Sequence, residues 1–310
     1  MSTLGEARER YLQVRRALGF KLHDHANMLA DLVAYMDRAG ASVLTTELAL
    51  AWATQPVGVQ LYRHRARLSM VRGFARYLHT LDPAHEIPAS DLLAYRPRCS
   101  VPQRYQGEQI AALIKAAALL DGPPLRAASY STLFGLLAVT GMRVGEALRL
   151  DRHDVELDRG VLVVRNSKFG KSRTLPLSTS TVAALERYRM TRDRLSPAPG
   201  DPDAFFLSTA GTRMIYSSAR RMFVRLADEV GLQPRLGNKH AHVHDLRHSW
   251  AIATLEDFYR HQVDVAAQMP LLSGYLGHTG PESSWWYLHA TPELLWLAEE
   301  RLEHALGELG

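Results

Sequence analysis

The chain has 310 residues and 46% hydrophobic content, enough for the buried cores of two domains of ordinary size. It holds no run of about 18 apolar residues, and its N-terminus lacks the apolar segment of a signal peptide, so we expect neither a membrane span nor secretion. The single cysteine, Cys99, excludes an intramolecular disulfide and a cysteine-based zinc site and fits a cytoplasmic protein. A net charge of +5, an isoelectric point of about 9.4 and mostly arginine among the basic residues favour a nucleic-acid partner.

The first 95 residues predict four amphipathic helices, because apolar residues recur there at steps of three and four. The fourth helix is expected over about 59–78. It carries Arg65, Arg72 and Arg76 on one stripe, and no acidic residue lies between positions 61 and 78. We expect this stripe to contact DNA phosphates; the alternative is an ordinary solvated face.

Periodicity is then lost over residues 82–106, where four prolines and many polar residues are typical of a linker. We therefore predict a helical DNA-binding domain over 1–95, a linker over 96–104 and a second domain over 105–310. The predicted fold is mainly α with a small β-hairpin.

The second domain begins with two apolar helices, over about 107–120 and 125–141. Two short β-type runs follow at 161–164 and 174–177, and the intervening segment RNSKFGKSR predicts a hairpin loop. Further helices are predicted at about 179–194, at 216–230, from 244, at about 263–275, and twice more before the C-terminus. The last has an apolar stripe formed by Leu295, Ala298, Leu302, Ala305 and Leu309.

The segment HDLRH at the start of the 244 helix has two interpretations. His244 and His248 are spaced like the two ligands of a zinc helix, with Asp245 in place of the usual glutamate. Alternatively, His244 and Arg247 share one face of the helix and bind a phosphate. A zinc site needs a third ligand, and a nearby arginine would repel the metal, so we favour the phosphate site.

Several polar residues surround this segment in a fixed order. They are Arg143 in TGMRVGEALRL, Lys168 and Lys171 at the hairpin tip in SKFGKSR, His244 and Arg247 in HDLRH, His278 in YLGHTG, and Tyr287 in ESSWWYLHAT. Together these motifs resemble the signature of the tyrosine recombinase family, of the phage-integrase and Xer type, over roughly residues 105–290. The resemblance implies a helical core-binding domain ahead of an α-rich catalytic domain.

The resemblance also implies a site-specific recombinase of integrase or transposase type. Such an enzyme cuts and rejoins DNA through a covalent 3′-phosphotyrosyl intermediate, without a metal or another cofactor. Arg143 and Arg247 would each offer paired donors to the phosphate and stabilise charge in the transition state. Tyr287 would attack the phosphorus, and Tyr275 is the weaker candidate for this role.

The remaining roles concern proton transfer. A phenol with a pKa of about 10 needs a base or a positive environment to attack at neutral pH, and His244 is the expected base. His278 is expected to hydrogen-bond the phosphate, and Lys168 to protonate the leaving 5′-oxygen, with Lys171 as its rival. His248 is expected to be only a structural neighbour, and Glu146 to orient an arginine.

The expected partner is a double-stranded recombination site, bound by a homotetramer that holds two such sites in the bacterial nucleoid. The C-terminal stripe would dock on a neighbouring protomer or on its own domain, and accessory recombination proteins are possible partners. Two other functions remain open from the sequence. One is strand relaxation like that of a type IB topoisomerase, and the other is a non-catalytic DNA-binding protein of the same fold.

Overall fold

A computed structural model of the protein describes residues 3–20, 22–93, 103–165, 172–196, 200–235, 239–278, 280, 282–289 and 292–307. These residues are mainly α-helical and include one small antiparallel sheet, which confirms the predicted fold class. Their contacts divide the chain into two units, residues 1–99 and 100–310. Across the described ranges, no helix combines the length and the apolar character that crossing a bilayer requires.

The first unit is built from four helices: α1 (Leu4–Ala17), α2 (His23–Arg38), α3 (Thr46–Thr54) and α4 (Leu61–Leu81). Side-chain caps explain where two of them begin. Thr3 and Glu6 form a reciprocal capping box at α1, and the Thr45 hydroxyl accepts a hydrogen bond from the Leu48 N–H at α3. Trp52 and Phe74 are fully buried and anchor the core between these helices.

The arginines of α4 differ in what they contact. The guanidinium of Arg72 donates to the carbonyl oxygens of Pro88 and Ala89, at 2.7 and 2.8 Å, so it holds the chain that follows the helix. Arg65 is half-buried, whereas Arg76 is exposed. Of the predicted DNA-binding stripe, Arg72 is therefore used in packing and Arg76 is open to solvent. Contact between the stripe and DNA stays a prediction.

Nine further helices are described in the second unit. They are α5 (Gly107–Ala118), α6 (Pro124–Thr140), α7 (Val144–Leu148), α8 (Thr179–Leu195), α9 (Tyr216–Glu229), α10 (Asp245–Arg260), α11 (Val265–Leu276), α12 (Glu282–Trp285) and α13 (Pro292–Gly307). The main core of this unit is apolar and lies around α5, α6, α8 and α9, with large buried contributions from Phe134, Phe205, Phe206 and Phe223.

The sheet has three strands in the order β1 (Val155–Glu156), β2 (Val161–Val164) and β3 (Arg173–Pro176). β2 and β3 pair antiparallel, with Leu162 opposite Leu175, so the predicted hairpin is confirmed. The loop that joins them, with Lys168 and Lys171, lies outside the described residues.

A glycine allows α6 to end close to α10. Gly141 follows α6 with a φ of 57°, a left-handed conformation that glycine adopts without steric cost. A Cβ at this position would lie 2.6 Å from the ring of Trp250 on α10, which is closer than real side chains approach. Gly141 therefore brings the end of α6 and the residues after it directly against α10.

A second, smaller hydrophobic cluster lies apart from the main core and joins α10, α11 and α13. We call it the Tyr287 cluster; its buried members are Ala251, Ile252, Leu255, Val265, Met269, Leu272, Leu276, Tyr287 and Leu294. α13 contributes Leu294, which is buried, whereas Leu295 and Trp296 are exposed. α13 thus packs on its own chain through one face and leaves an apolar pair on another.

Candidate active site

Arg143 is held at the start of α7 by contacts at both ends of the residue. Its backbone N–H donates to Glu146 Oε2 at 3.0 Å, and its guanidinium donates to Glu146 Oε1 at 3.0 Å. The second Nη of the guanidinium donates to the carbonyl oxygen of Gly277 at 2.9 Å, just beyond α11. These bonds fix a guanidinium whose side chain keeps 27% of its surface exposed, so it can still receive a ligand.

Arg247 reaches the same place from α10. Its two Nη atoms donate to the carbonyl oxygens of Gly141, at 2.9 Å, and Leu276, at 2.7 Å. Burial, reinforced by the charge of Arg143, lowers the pKa of Arg247 to about 10, so it remains a cation at neutral pH. The two guanidiniums therefore bond to the consecutive carbonyls of Leu276 and Gly277 and form one cationic site.

His278 lies beside this pair. Nη2 of Arg247 donates to Nε2 of His278 at 2.8 Å, so the ring carries its proton on Nδ1, which donates to the hydroxyl of Ser284 at 2.7 Å. Burial and then the charges of Arg247 and Arg143 lower the pKa of His278 to about 4. His278 is therefore a neutral ring that orients Arg247.

His244 caps α10 and also lies in this environment. Its ring meets the ring of His248 edge to face, with centroids 5.0 Å apart. Burial, followed by the charge of Arg247, lowers the pKa of His244 to about 4, so this ring is neutral near pH 7.

Tyr287 is buried, with 2% of its surface exposed, and its hydroxyl lies 2.9 Å from Nδ1 of His248. Burial raises the pKa of Tyr287, and the positive charge of Arg247 offsets part of that rise. Its ring is nearly parallel to that of His278, at 6.5 Å between centroids. The phenol therefore lies near Arg247 and His278, which the sequence predicts for the active site. It contacts His248, for which the sequence predicts only a structural role.

Arg173, at the start of β3, is a second residue that the sequence did not indicate. Its guanidinium donates to both carboxylate oxygens of Glu146, at 3.2 and 2.8 Å, and from Nε to the carbonyl of Tyr275 at 2.7 Å. Glu146 thus lies between Arg143 and Arg173 and holds both in place. The contact links the base of the hairpin to the arginine site.

Gly277 completes this arrangement. Its φ of 66° ends α11, and a Cβ there would lie 2.8 Å from Nη1 of Arg173. The approach of the arginines to the end of α11 therefore requires a residue without a side chain.

The carboxylate of Glu146 gives the site a measurable pH dependence. Burial alone would raise its pKa, but the hydrogen bonds and charge of Arg173, with those of Arg143, hold that pKa at about 2, below the ordinary 4.5. Because the folded-state pKa is depressed, the stabilisation is full above pH 4.5 and is lost as the pH falls towards 2. We expect Glu146→Gln to lower the free energy of unfolding by about 3 kcal/mol at pH 7 and by about 1.5 kcal/mol at pH 3.

Urea denaturation at the two pH values measures this difference. Glu186→Gln is the matched control, since Glu186 pairs with Arg189 on the exposed surface of α8 and should cost less than about 1 kcal/mol. An equal loss of stability at pH 7 and pH 3 for Glu146→Gln would contradict the assignment.

Comparison with known proteins identifies the family of the chain. Residues 103–293 match the model of the family described as "Phage integrase family". The chain is 40% identical over 309 residues to the putative integrase/recombinase y4rB of Sinorhizobium fredii (strain NBRC 101917 / NGR234), with 98% of each chain covered. The chain belongs to the phage integrase family. It is therefore a tyrosine recombinase, an enzyme that breaks and rejoins DNA strands.

Two further comparisons agree. The tyrosine recombinase XerC of Alcanivorax borkumensis is 30% identical over 222 residues, with 72% of this chain and 67% of that protein covered. The XerH site-specific recombinase, solved in a post-cleavage complex with palindromic difH substrate, has the same fold. Its TM-score is 0.65 at 19% identity, with 99% of this chain and 84% of that chain covered.

The structure brings together most of the residues that the sequence predicts for a tyrosine recombinase. These are Arg143, His244, Arg247, His278 and Tyr287, which lie in one connected site. Lys168 and Lys171 lie outside the described residues. The sequence does indicate that His248 faces the site, since it shares a helix face with His244. Its contact with Tyr287 joins residues 39 positions apart, so no local sequence pattern predicts it.

The spacing of the histidines in HDLRH allows a metal site as the alternative to the phosphate site in this tyrosine recombinase. Within the part of the chain that the structure describes, one group of three potential ligands was found, formed by Asp151, His153 and Asp154. The carboxylates of Asp151 and Asp154 are paired with Arg213 and Arg165. His248 is one of the two histidines with zinc-ligand spacing, and its Nδ1 is hydrogen-bonded to the Tyr287 hydroxyl.

Proposed function

We propose that this tyrosine recombinase cuts one DNA strand at a specific site by attack of Tyr287 on a phosphodiester. The attack leaves a 3′-phosphotyrosyl link and a free 5′-hydroxyl, and the hydroxyl of a second strand then reverses the reaction. The observation that carries this proposal is the position of the Tyr287 hydroxyl, which lies 2.9 Å from Nδ1 of His248 and within the electrostatic influence of Arg247, while Arg247 and Arg143 bind consecutive carbonyls. A nucleophile and two guanidiniums are thereby held together before DNA binds.

The two arginines would bind the non-bridging oxygens of the scissile phosphate. Their orientation is fixed by protein carbonyls and by Glu146, so little reorganisation is needed when charge develops on the phosphorane. The leaving 5′-oxygen must gain a proton, and we assign this to Lys168, with Lys171 as the alternative. Because the phosphodiester energy is kept in the tyrosyl link, the scheme uses no ATP.

The experiment that tests the proposal is covalent capture on a nicked suicide substrate made from the DNA that flanks the gene. The nick lets a short strand diffuse away after cleavage, so the covalent complex accumulates. Peptide mapping should place the DNA on Tyr287 through a 3′-phosphate. A complex attached to another residue, or none on any flanking sequence, would overturn the proposal.

DNA binding is assigned to both domains, with residues 1–95 as a helical DNA-binding domain, 96–104 as the linker and 105–310 as the catalytic domain. On α4, Arg76 is the exposed member of the predicted stripe. We expect Arg76→Ala to weaken binding to all sequences alike and to lower the slope of log K against log salt by about 1, since one phosphate contact is lost.

Titration of labelled duplex at several salt concentrations measures this slope. Arg189→Ala, on the exposed surface of α8, is the control and should leave the slope unchanged. A sequence-dependent loss for Arg76→Ala would indicate contact with bases and not with phosphates.

We further propose that the enzyme acts in the bacterial nucleoid on a mobile genetic element, as an integrase or transposase, and assembles as a tetramer on two sites, with or without accessory proteins. The exposed pair Leu295 and Trp296 on α13 supports docking on a second copy of the chain, because α13 already packs on its own chain through Leu294.

The double variant Leu295→Ser/Trp296→Ser should bind one site normally and lose cooperative assembly on two sites, because the apolar contact between protomers would be gone. Gel-shift analysis and light scattering measure the two properties. Met190→Ser, which replaces an apolar residue that is 65% exposed on α8, is the control. Normal assembly of the double variant would refute this docking mode.

A further inference from the structure

His248 is the histidine in contact with the nucleophile. Its Nδ1 lies 2.9 Å from the hydroxyl of Tyr287, and the ring centroids are 5.5 Å apart. Both residues are buried, at 9% and 2% exposure. This distance is within the range in which a side chain removes a proton from a nucleophile, and the pairing of nucleophile with base is a usual mark of such a step.

The direction of this hydrogen bond follows from the charges around it. Burial, followed by the charges of His244, Arg235 and Arg247 and then His242, lowers the pKa of His248, so its ring is neutral near pH 7. Burial raises the pKa of Tyr287, so the phenol keeps its proton at rest. A protonated phenol beside a neutral ring makes the hydroxyl the donor and Nδ1 the acceptor.

DNA would change this balance. A phosphodiester bound by Arg247 and Arg143 brings a negative charge to a region that is otherwise positive, and this favours the imidazolium form of a neighbouring histidine. The phenol proton also becomes more acidic as its oxygen bonds to phosphorus. Transfer of the proton to His248 is therefore favoured once the scissile phosphate is in place, and not before.

We propose that His248 accepts the Tyr287 proton during cleavage and returns it during rejoining. In cleavage the O–H proton moves to Nδ1, the phenolic oxygen bonds to phosphorus, the bond from phosphorus to the 5′-oxygen breaks, and that oxygen takes a proton from the lysine assigned above. Rejoining runs the same steps backwards, with the proton on Nδ1 going to the departing phenolic oxygen. The inference rests on the proposed function and replaces His244 as the expected base.

His248→Asn separates proton transfer from simple positioning. The asparagine amide oxygen can accept the hydrogen bond of Tyr287 near the position of Nδ1, but it cannot take up the proton. We expect His248→Asn and His248→Ala to lower the rate of covalent capture by about 10²-fold or more, with DNA binding unchanged. His261→Asn, at the exposed C-terminal end of α10, is the matched control and should react like the wild type.

A fluorinated tyrosine at position 287 provides the second measurement. Fluorine lowers the phenol pKa, so such a nucleophile depends less on a base. It should restore most of the lost rate in whichever His248 variant is folded by circular dichroism, and it should change the rate far less when His248 is intact. Wild-type capture by His248→Asn, or no restoration by the fluorinated residue, would overturn the inference.

These outcomes can be distinguished from failure of the proposed function. If the wild type forms no covalent complex, or forms one through a residue other than Tyr287, the proposed function fails. If the wild type reacts through Tyr287 and His248→Asn matches it, the function stands and His248 only positions the phenol.

Discussion

Tyr287→Phe is expected to abolish covalent capture of DNA and to leave DNA binding within about twofold of the wild type, a difference of about 0.4 kcal/mol. Phenylalanine keeps the buried ring of the Tyr287 cluster but lacks the oxygen that attacks phosphorus. The change also removes the partner of His248 Nδ1, which should cost about 1–3 kcal/mol of stability because a buried acceptor loses its hydrogen bond. Capture on the suicide substrate and a gel shift on intact duplex measure the two properties.

Tyr275→Phe is the control, because Tyr275 is the other tyrosine that the sequence allowed as nucleophile. Its ring stacks on Trp250, with centroids 4.8 Å apart, and the phenyl group alone preserves that contact. We expect Tyr275→Phe to capture DNA normally. If Tyr275→Phe lost covalent capture and Tyr287→Phe kept it, Tyr275 would be the nucleophile and Tyr287 would not.

Arg247→Lys is expected to lower the rate of cleavage by about 10²–10³-fold, although the charge is kept. The guanidinium bonds to Gly141, Leu276 and His278 with its two Nη atoms, and one ammonium group cannot reproduce that geometry. The lysine would therefore lose its orientation toward the phosphate and leave buried carbonyls without donors. Single-turnover cleavage under saturating protein separates this effect from weaker binding.

Arg260→Lys provides the comparison on the same helix. Arg260 is 55% exposed and pairs with Glu256 four residues earlier, so its replacement should alter the cleavage rate by less than twofold, a difference of about 0.4 kcal/mol. If Arg247→Lys cleaves as fast as Arg260→Lys, the guanidinium geometry is not required for the reaction.

The sequence predicted the parts of the site that lie in short motifs. Arg143 follows a helix-ending Thr-Gly, His244 and Arg247 start a helix, and His278 follows Leu-Gly, so local patterns marked each of them. The hairpin was also predictable, because two β-type runs flank a polar loop. These features depend on neighbours within a few residues, which is what a sequence displays.

Contacts between distant elements were not predictable in the same way. Arg173 meets Glu146 across 27 positions, and no local pattern distinguishes it from an ordinary hairpin cation. The sequence predicts only a structural role for His248, because the phosphate site leaves this histidine without a zinc ion to bind. Its contact with Tyr287 forms only when α10 and the segment of Tyr287 pack together. On α13 the predicted apolar stripe begins at Leu295, but the structure buries Leu294 and leaves Leu295 exposed. Tertiary packing decides which face of the helix is turned inward, and the sequence of the helix alone does not show it.

The separation of the Tyr287 cluster from the main core has a consequence for the kinetics of the enzyme. Cooperative units with few buried apolar contacts open at a lower free energy than the main core of a domain. The nucleophile belongs to such a unit, with α10, α11 and α13, whereas the sheet and the helices that carry Arg143 and Arg173 belong to the larger core. Arg247 lies on α10, and the carbonyls that orient Arg143 and Arg247 lie at the end of α11, so opening of the whole cluster would also dismantle the arginine site. A release of the nucleophile that spares the phosphate site must therefore be confined to the short segment that carries Tyr287.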